Sequence, residues 1–259
     1  SSAPLRRGPH EGMRAAVRIT IPALKEGVEM PAVLDIVIPG HDGRKNLQRK
    51  SRRLHLFHPD PFASRRKWLE DLHLRLFDPR GATAGQLRKA GIPYTPIRNS
   101  ARIGTFTNGN LIIGNGVSLR KQRGLISAAI SAAEAGCHVL CLGFKDGKAA
   151  LPGISTGVPG KPGNITLAEG GIVKYFDNRF DIFHSNSKGK HYSALRFEAD
   201  RGRIMGTFES DSGNGWVWFA AAYESDGIFA VTALPIIERW DASPVPRYLL
   251  LAILKKWNP

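Results

Sequence analysis

The sequence predicts an α/β protein: a mostly parallel sheet with helices on both faces, preceded by an incomplete antiparallel β-sandwich. Leu111-Ile112-Ile113, closed by Gly114, and His138-Val139-Leu140-Cys141-Leu142-Gly143 are apolar runs without alternation. Strands of a parallel sheet covered on both faces read this way. Between them Leu119, Leu125, Ile126, Ala129, Ile130 and Ala133 recur at three- and four-residue steps, and Gly136 stands where a helix is normally stopped. Strand, helix, strand is a βαβ unit. Residues 13–58 instead alternate apolar with polar positions, the mark of half-buried antiparallel strands.

In chain order, residues 1–12 are a polar, Pro/Gly-rich lead-in. Residues 13–60 form the sandwich segment. Its strands are expected near Val17–Ile21, Val33–Ile38 and Leu54–Phe57, with a hairpin turn at His41-Asp42-Gly43-Arg44. Three such strands leave an apolar face bare, so further strands, from an upstream segment or another chain, are expected to complete the sheet pair.

Residues 61–259 form the α/β domain. Leu72, Leu74, Leu76 and Phe77 predict a strand, Thr83 the N-cap of a helix over 84–90 stopped by Gly91, and residues 92–97 a second strand. Alternation of strand and helix then implies a doubly wound sheet. Residues 145–171 read as an irregular excursion. Residues 172–183, 192–197, 202–208, 215–223 and 228–234 carry strand-like runs, and 246–257 an amphipathic closing helix.

At 259 residues with 42% hydrophobic and 23% charged residues, the chain has the composition of a folded protein. No run approaches the roughly 20 apolar residues of a membrane helix, so no membrane span is expected. Ser1 to Arg7 lack the apolar core of a signal peptide, leaving a removed signal or a longer precursor open. Two cysteines make no disulfide framework. The unusual property is a net charge of +15, which favours polyanions or an acidic partner chain. It concentrates in residues 44–53, where Arg44, Lys45, Arg49, Lys50, Arg52 and Arg53 are candidates for binding an acidic polysaccharide. No aromatic residue interleaves to stack on bases, so nucleic acid is not the expected partner.

The path through HVLCLGF to VTALPIIE and the closing helix resembles the class I glutamine amidotransferase-like fold. That resemblance implies a flavodoxin-like order of strands and a nucleophilic cysteine in a Gly-x-Cys-x-Gly turn, completed by a His-Pro-Glu-like triplet. Cys141 matches the nucleophile, and Pro235 with Glu238 lies near the triplet. Val139 replaces the first glycine, however, and no histidine follows His191. A cysteine nucleophile needs a base, so the triad is incomplete. The runs FDPRGATAGQLRKAGIPYTPI, LIIGNG and FAVTALPIIERWDASPVPRYLLLAIL are similar to the accessory domain near the C-terminus of large secreted β-galactosidase-type glycoside hydrolases. This implies a non-catalytic accessory or assembly role beside other chains or upstream domains of the same enzyme, in a secreted or periplasmic setting. The rival readings are a cysteine-dependent hydrolase or transferase using Cys141, and a polyanion-binding module using residues 44–53.

Other chemistry is weaker. Trp216, Trp218 and Tyr223 could stack sugars from one strand. Acidic residues cluster at Asp177 and Asp181 and at Glu198, Asp200, Glu209 and Asp211, but the resemblance places hydrolytic carboxylates in a barrel domain that is not here. Cys137, His138 and Cys141 fall short of a closed zinc site, and His184 and His191 flank a polar loop, so no metal is expected. The amides of residues 114–118 would make a weak anion site if a helix started there. No phosphate-loop motif follows a strand, and no cofactor is expected.

Overall fold

Two chain segments with different patterning give two units, Ser1–His58 and Pro59–Pro259. The computed structural model describes residues 20–21, 23–25, 29–38, 48–146, 165–167, 203–208, 215–242 and 244–258.

In the first unit, β1 (Glu29–Ile38) and β2 (Gln48–Phe57) pair antiparallel, from Glu29 opposite Phe57 to Ile38 opposite Gln48. Val33, Ile36 and Val37 have the branched side chains that suit a pleated strand. The returning strand is longer than its apolar residues suggested, and it takes in the second half of the basic run. A carboxylate makes that tolerable. Asp35 lies directly opposite Ser51 and accepts hydrogen bonds from the Ser51 hydroxyl and the Arg49 guanidinium. These contacts, Arg49 first, hold the Asp35 carboxyl below the usual carboxylate range. A strand is expected at Val17–Ile21. Thr20 and Ile21 belong to no strand, Ile21 is exposed, and residues 13–19 lie outside the described residues, as does the turn at 41–44.

The second unit is built on one mixed sheet. Its strands are β3 (Arg75–Phe77), β4 (Thr95–Pro96), β5 (Asn110–Ile113), β6 (His138–Cys141), β7 (Ile165–Leu167), β8 (Arg203–Phe208), β9 (Gly215–Ala222) and β10 (Ile228–Thr232). They lie in the order β4-β3-β5-β6-β10-β9-β8-β7. The first five are parallel to one another, and β9, β8 and β7 extend the sheet antiparallel. The fold is therefore α/β with a mostly parallel central sheet. The connection from β9 to β10 spans only 223–227, too short for a crossover, which forces the antiparallel pairing. Strand β7 lies within the stretch expected to be irregular. The runs expected at 172–183 and 192–197 lie outside the described residues.

Among the described residues four α-helices accompany the sheet: α1 (Arg66–Asp71), α2 (Ala82–Lys89), α3 (Leu125–Glu134) and α4 (Val245–Trp257). Leu111, Ile113, Val139, Cys141, Phe229 and Val231 point to one face and pack with Ala129, Ala132 and Ala133 of α3. The alternate residues point the other way, toward the end of α4. There Asn110 and Asn258 exchange two amide hydrogen bonds of 3.0 Å each, and the His138 ring lies 5.7 Å from that of Trp257. Both faces of the central strands are thus covered, which is why they do not alternate in sequence.

Helix α3 starts six residues later than Leu119 suggested. Asp146 holds the preceding turn by accepting from the Ser118 hydroxyl at 2.7 Å and the Arg120 amide at 3.2 Å. Thr83 does not cap α2. Gly81, at φ +74°, occupies the cap, and Asp78 Oδ2 accepts from the Ala84 amide at 2.8 Å.

His138 Nε2 lies 3.1 Å from the Asp226 carbonyl, and burial pushes the half-buried imidazole below its ordinary value. A depressed basic pKa means the folded state favours the neutral ring. Its contribution is complete above the ordinary imidazole value of about 6.5 and is lost as pH falls through the lower folded value. Thermal denaturation should therefore show stability declining on acidification through this range, with a shallower decline in His138→Gln. Parallel pH profiles for the two proteins would assign the decline to other groups.

Candidate functional site

Ends of parallel strands converge residues that are remote in sequence. Asp78 follows β3, Asn115 follows β5, Gly143 follows β6, and Glu238 lies in the turn after β10. Gly114 donates its amide to the Phe77 carbonyl at 2.8 Å, which draws the two strand ends together. A side chain at Gly114 would put Cβ 2.8 Å from Asp78 Cβ and Cγ, so only glycine leaves room for that carboxylate. Thr83 is fully buried, and its hydroxyl accepts from the Asn115 amide at 2.9 Å. Asn115 Nδ2 then donates to Glu238 Oε1 at 2.7 Å. Asp78 Oδ1 is buried with no hydrogen-bond partner among the described residues.

This cluster offers acceptors, a guanidinium from Arg80 close to the Gly116 carbonyl, and no histidine or cysteine side chain. It can orient polar groups, but it holds no nucleophile–base pair. Sequence reasoning read Thr83 as a cap and Glu238 as a triad remnant, and it passed over Asp78 and Arg80. The available signal was the glycine-containing turn after each of two apolar strand ends, Asp78-Pro79-Arg80-Gly81 and Gly114-Asn115-Gly116.

The anion site expected at 114–118 is not formed. Helix α3 begins only at Leu125, and the amides of Gly114, Asn115 and Gly116 bond to Phe77, Thr83 and Gly143.

Cys141 is the last residue of β6 and has no exposed surface. It stands in register with Ile113 and Val231, inside the cluster that packs on α3. Burial alone pushes its thiol far above the ordinary value, the opposite of what a thiolate nucleophile needs. Leu142, Gly143 and Phe144 are buried too, so no exposed elbow follows the strand. Cys137 donates to the Gly109 carbonyl at 3.2 Å, and burial, opposed by Arg75, pushes its thiol up to about 11. Among the described residues no group of three potential ligands could hold a metal ion.

Trp218 and Tyr223 do not share a platform. Phe219, Ala221 and Tyr223 face the α3 side, so strand alternation sends Trp218 to the opposite face from Tyr223. Trp218 is also 2% exposed, leaving its ring no free face for a sugar. Tyr223 is half-buried, and burial, with Glu134 adding, raises its hydroxyl pKa. The side chain of Trp216 lies outside the description.

Of the basic run, Arg49, Lys50 and Arg52 are exposed on β2. Arg44 and Lys45, like the side chain of Arg53, lie outside the described residues, as do the acidic clusters at 177–181, 198–200 and 209–211 and the histidines at 184 and 191. Compared with known protein families and with curated proteins, the chain matches none. Among the described residues, no helix is long and apolar enough to cross a membrane.

Proposed function

We propose that this chain is a non-catalytic accessory or assembly part of a carbohydrate-active enzyme of the β-galactosidase type, carried on a degenerate amidotransferase-like fold. The observation that carries the non-catalytic half is the burial of Cys141 within β6, with its thiol held in the neutral form. A second support is topological. Counted in chain order, the five parallel strands lie 2-1-3-4-5, the flavodoxin-like order. Glu238, in the turn after β10, accepts from Asn115 and bonds to no base among the described residues. The carbohydrate context rests on the sequence resemblance, and a secreted or periplasmic setting follows from the same source.

The test is direct. The intact chain should turn over neither a nitrophenyl β-galactoside nor glutamine, and Cys141 should resist iodoacetamide until the protein is unfolded. Glutamine hydrolysis abolished by Cys141→Ala would replace this reading with the thiol enzyme.

A further inference from the structure

We infer that the outer edge of β2 is a docking edge for an acidic β-strand of a partner protein. The hairpin is a two-stranded ribbon, and among the described residues neither outer edge is paired. Ribbons of two strands are marginal in water, and bare edges recruit further strands. The hairpin also exposes apolar surface, with Val33 63%, Ile36 47% and Val37 50% exposed.

Charge selects the occupant. Arg49 and Ser51 share one face with Val33, Asp35 and Val37, and there Asp35 already matches Arg49. Lys50 and Arg52 share the other face, are exposed, and form no ion pair among the described residues. Two unmatched cations at alternate positions on one strand face call for carboxylates two residues apart on the neighbouring strand. Side chains between those carboxylates would lie on the face where Arg49 is already matched by Asp35. A second copy of β2 would set cation against cation, so this edge rejects its own kind and admits a strand of opposite sign. The mode is strand addition: main-chain hydrogen bonds supply the attachment and charge supplies the choice.

This names a partner for the assembly role proposed above. The experiment reads only the hairpin, whereas the thiol experiment reads only the α/β unit, so either reading can fail alone. Titrate the full chain with a ten-residue peptide alternating glutamate and valine, and with its lysine–valine counterpart. The glutamate peptide should bind saturably, and the lysine peptide roughly tenfold more weakly or less. The double variant Lys50→Glu/Arg52→Glu should invert that preference, and Lys50→Gln/Arg52→Gln should abolish it. The neutral pair keeps the test readable should the charge reversal fail to fold. Methylating alternate backbone nitrogens of the glutamate peptide should remove binding, because it deletes the donors of the added ladder. Equal affinity for the two peptides would overturn the inference. So would undiminished binding of the methylated peptide or tighter binding of heparin, either of which means a simple polyanion site. Concentration-dependent dimerisation that buries Val33 and Val37 would equally overturn it in favour of a second copy.

Discussion

Replacing Gly227 with alanine should cost about 3 kcal/mol or more, a large part of the 5–15 kcal/mol that stabilises a typical domain. Gly227 lies in the turn between β9 and β10, where that turn meets the end of α3. A Cβ built there would sit 1.8 Å from the Ala133 carbonyl oxygen, 2.9 Å from its carbon and 3.0 Å from Gly136 Cα. All three obstacles are backbone, so no rotamer change relieves them. Either the turn or the last turn of α3 must move. Moving the turn strains the Tyr223 amide bond to the Gly227 carbonyl at 2.9 Å, and moving α3 disturbs the core that Ala129, Ala132 and Ala133 share with β6 and β10. The expected readout is a urea midpoint lowered accordingly with an unchanged slope. Ser225→Ala is the comparison. It removes two long bonds of an exposed residue, 3.3 Å to the same Ala133 carbonyl and 3.4 Å from the Gly227 amide, and should cost about 1 kcal/mol. Equal midpoints for the two variants would show that the close approach is relieved at little cost.

That contact also shows what the sequence could tell and what it could not. The glycine in Ser225-Asp226-Gly227 marks a turn, but nothing local says that a helix 90 residues earlier ends against it. The βαβ unit from Asn110 to Cys141 was legible because both of its strands are buried on two faces and therefore do not alternate. The order of the parallel strands does not follow from that pattern, which says only that they are covered on both faces. The antiparallel half was open to reading, since five residues cannot carry a crossover from β9 to β10. Counting also separates Trp218 from Tyr223, because five steps along a strand put two side chains on opposite faces. Strand β2 defeated pattern reading for a physical reason. Its first half is charged, and its place in the ribbon depends on Asp35, thirteen or more residues away across the hairpin. The cluster of Asp78, Thr83, Asn115 and Glu238 has no motif, as its members come together only through the sheet order.

Asn110→Asp should be the most pH-sensitive variant of the α/β unit. Asn110 is 2% exposed at the start of β5. Its amide nitrogen donates to the Leu72 carbonyl at 2.8 Å and to Asn258 Oδ1 at 3.0 Å, while its oxygen accepts from Asn258 Nδ2. Asn258 in turn donates to the Leu254 carbonyl at 2.9 Å, so the pair fastens the end of α4 to the sheet. The orientation of the Asn110 amide is settled by Leu72, because a carbonyl can only accept. Aspartate at this position exchanges the donor for an acceptor that faces two other acceptors. An ionised carboxylate there loses its solvation and gains no cation, which costs about 3 kcal/mol or more. Burial and the facing oxygens also raise the folded-state pKa of the new carboxyl above its unfolded value of about 3.9. The sign follows from linkage. Below the unfolded value both states are protonated, and the neutral carboxyl can donate to Leu72. As pH rises through the unfolded value and on to the raised folded value, the unfolded chain releases its proton first and the variant loses stability. Above the folded value the deficit is constant. Asparagine does not titrate, so the difference in urea midpoint between the unsubstituted chain and Asn110→Asp should widen between pH 4 and pH 8. Hydrogen exchange in α4 should rise along with it. A midpoint difference that stays the same across that range would mean that the amide pair does not hold the helix end.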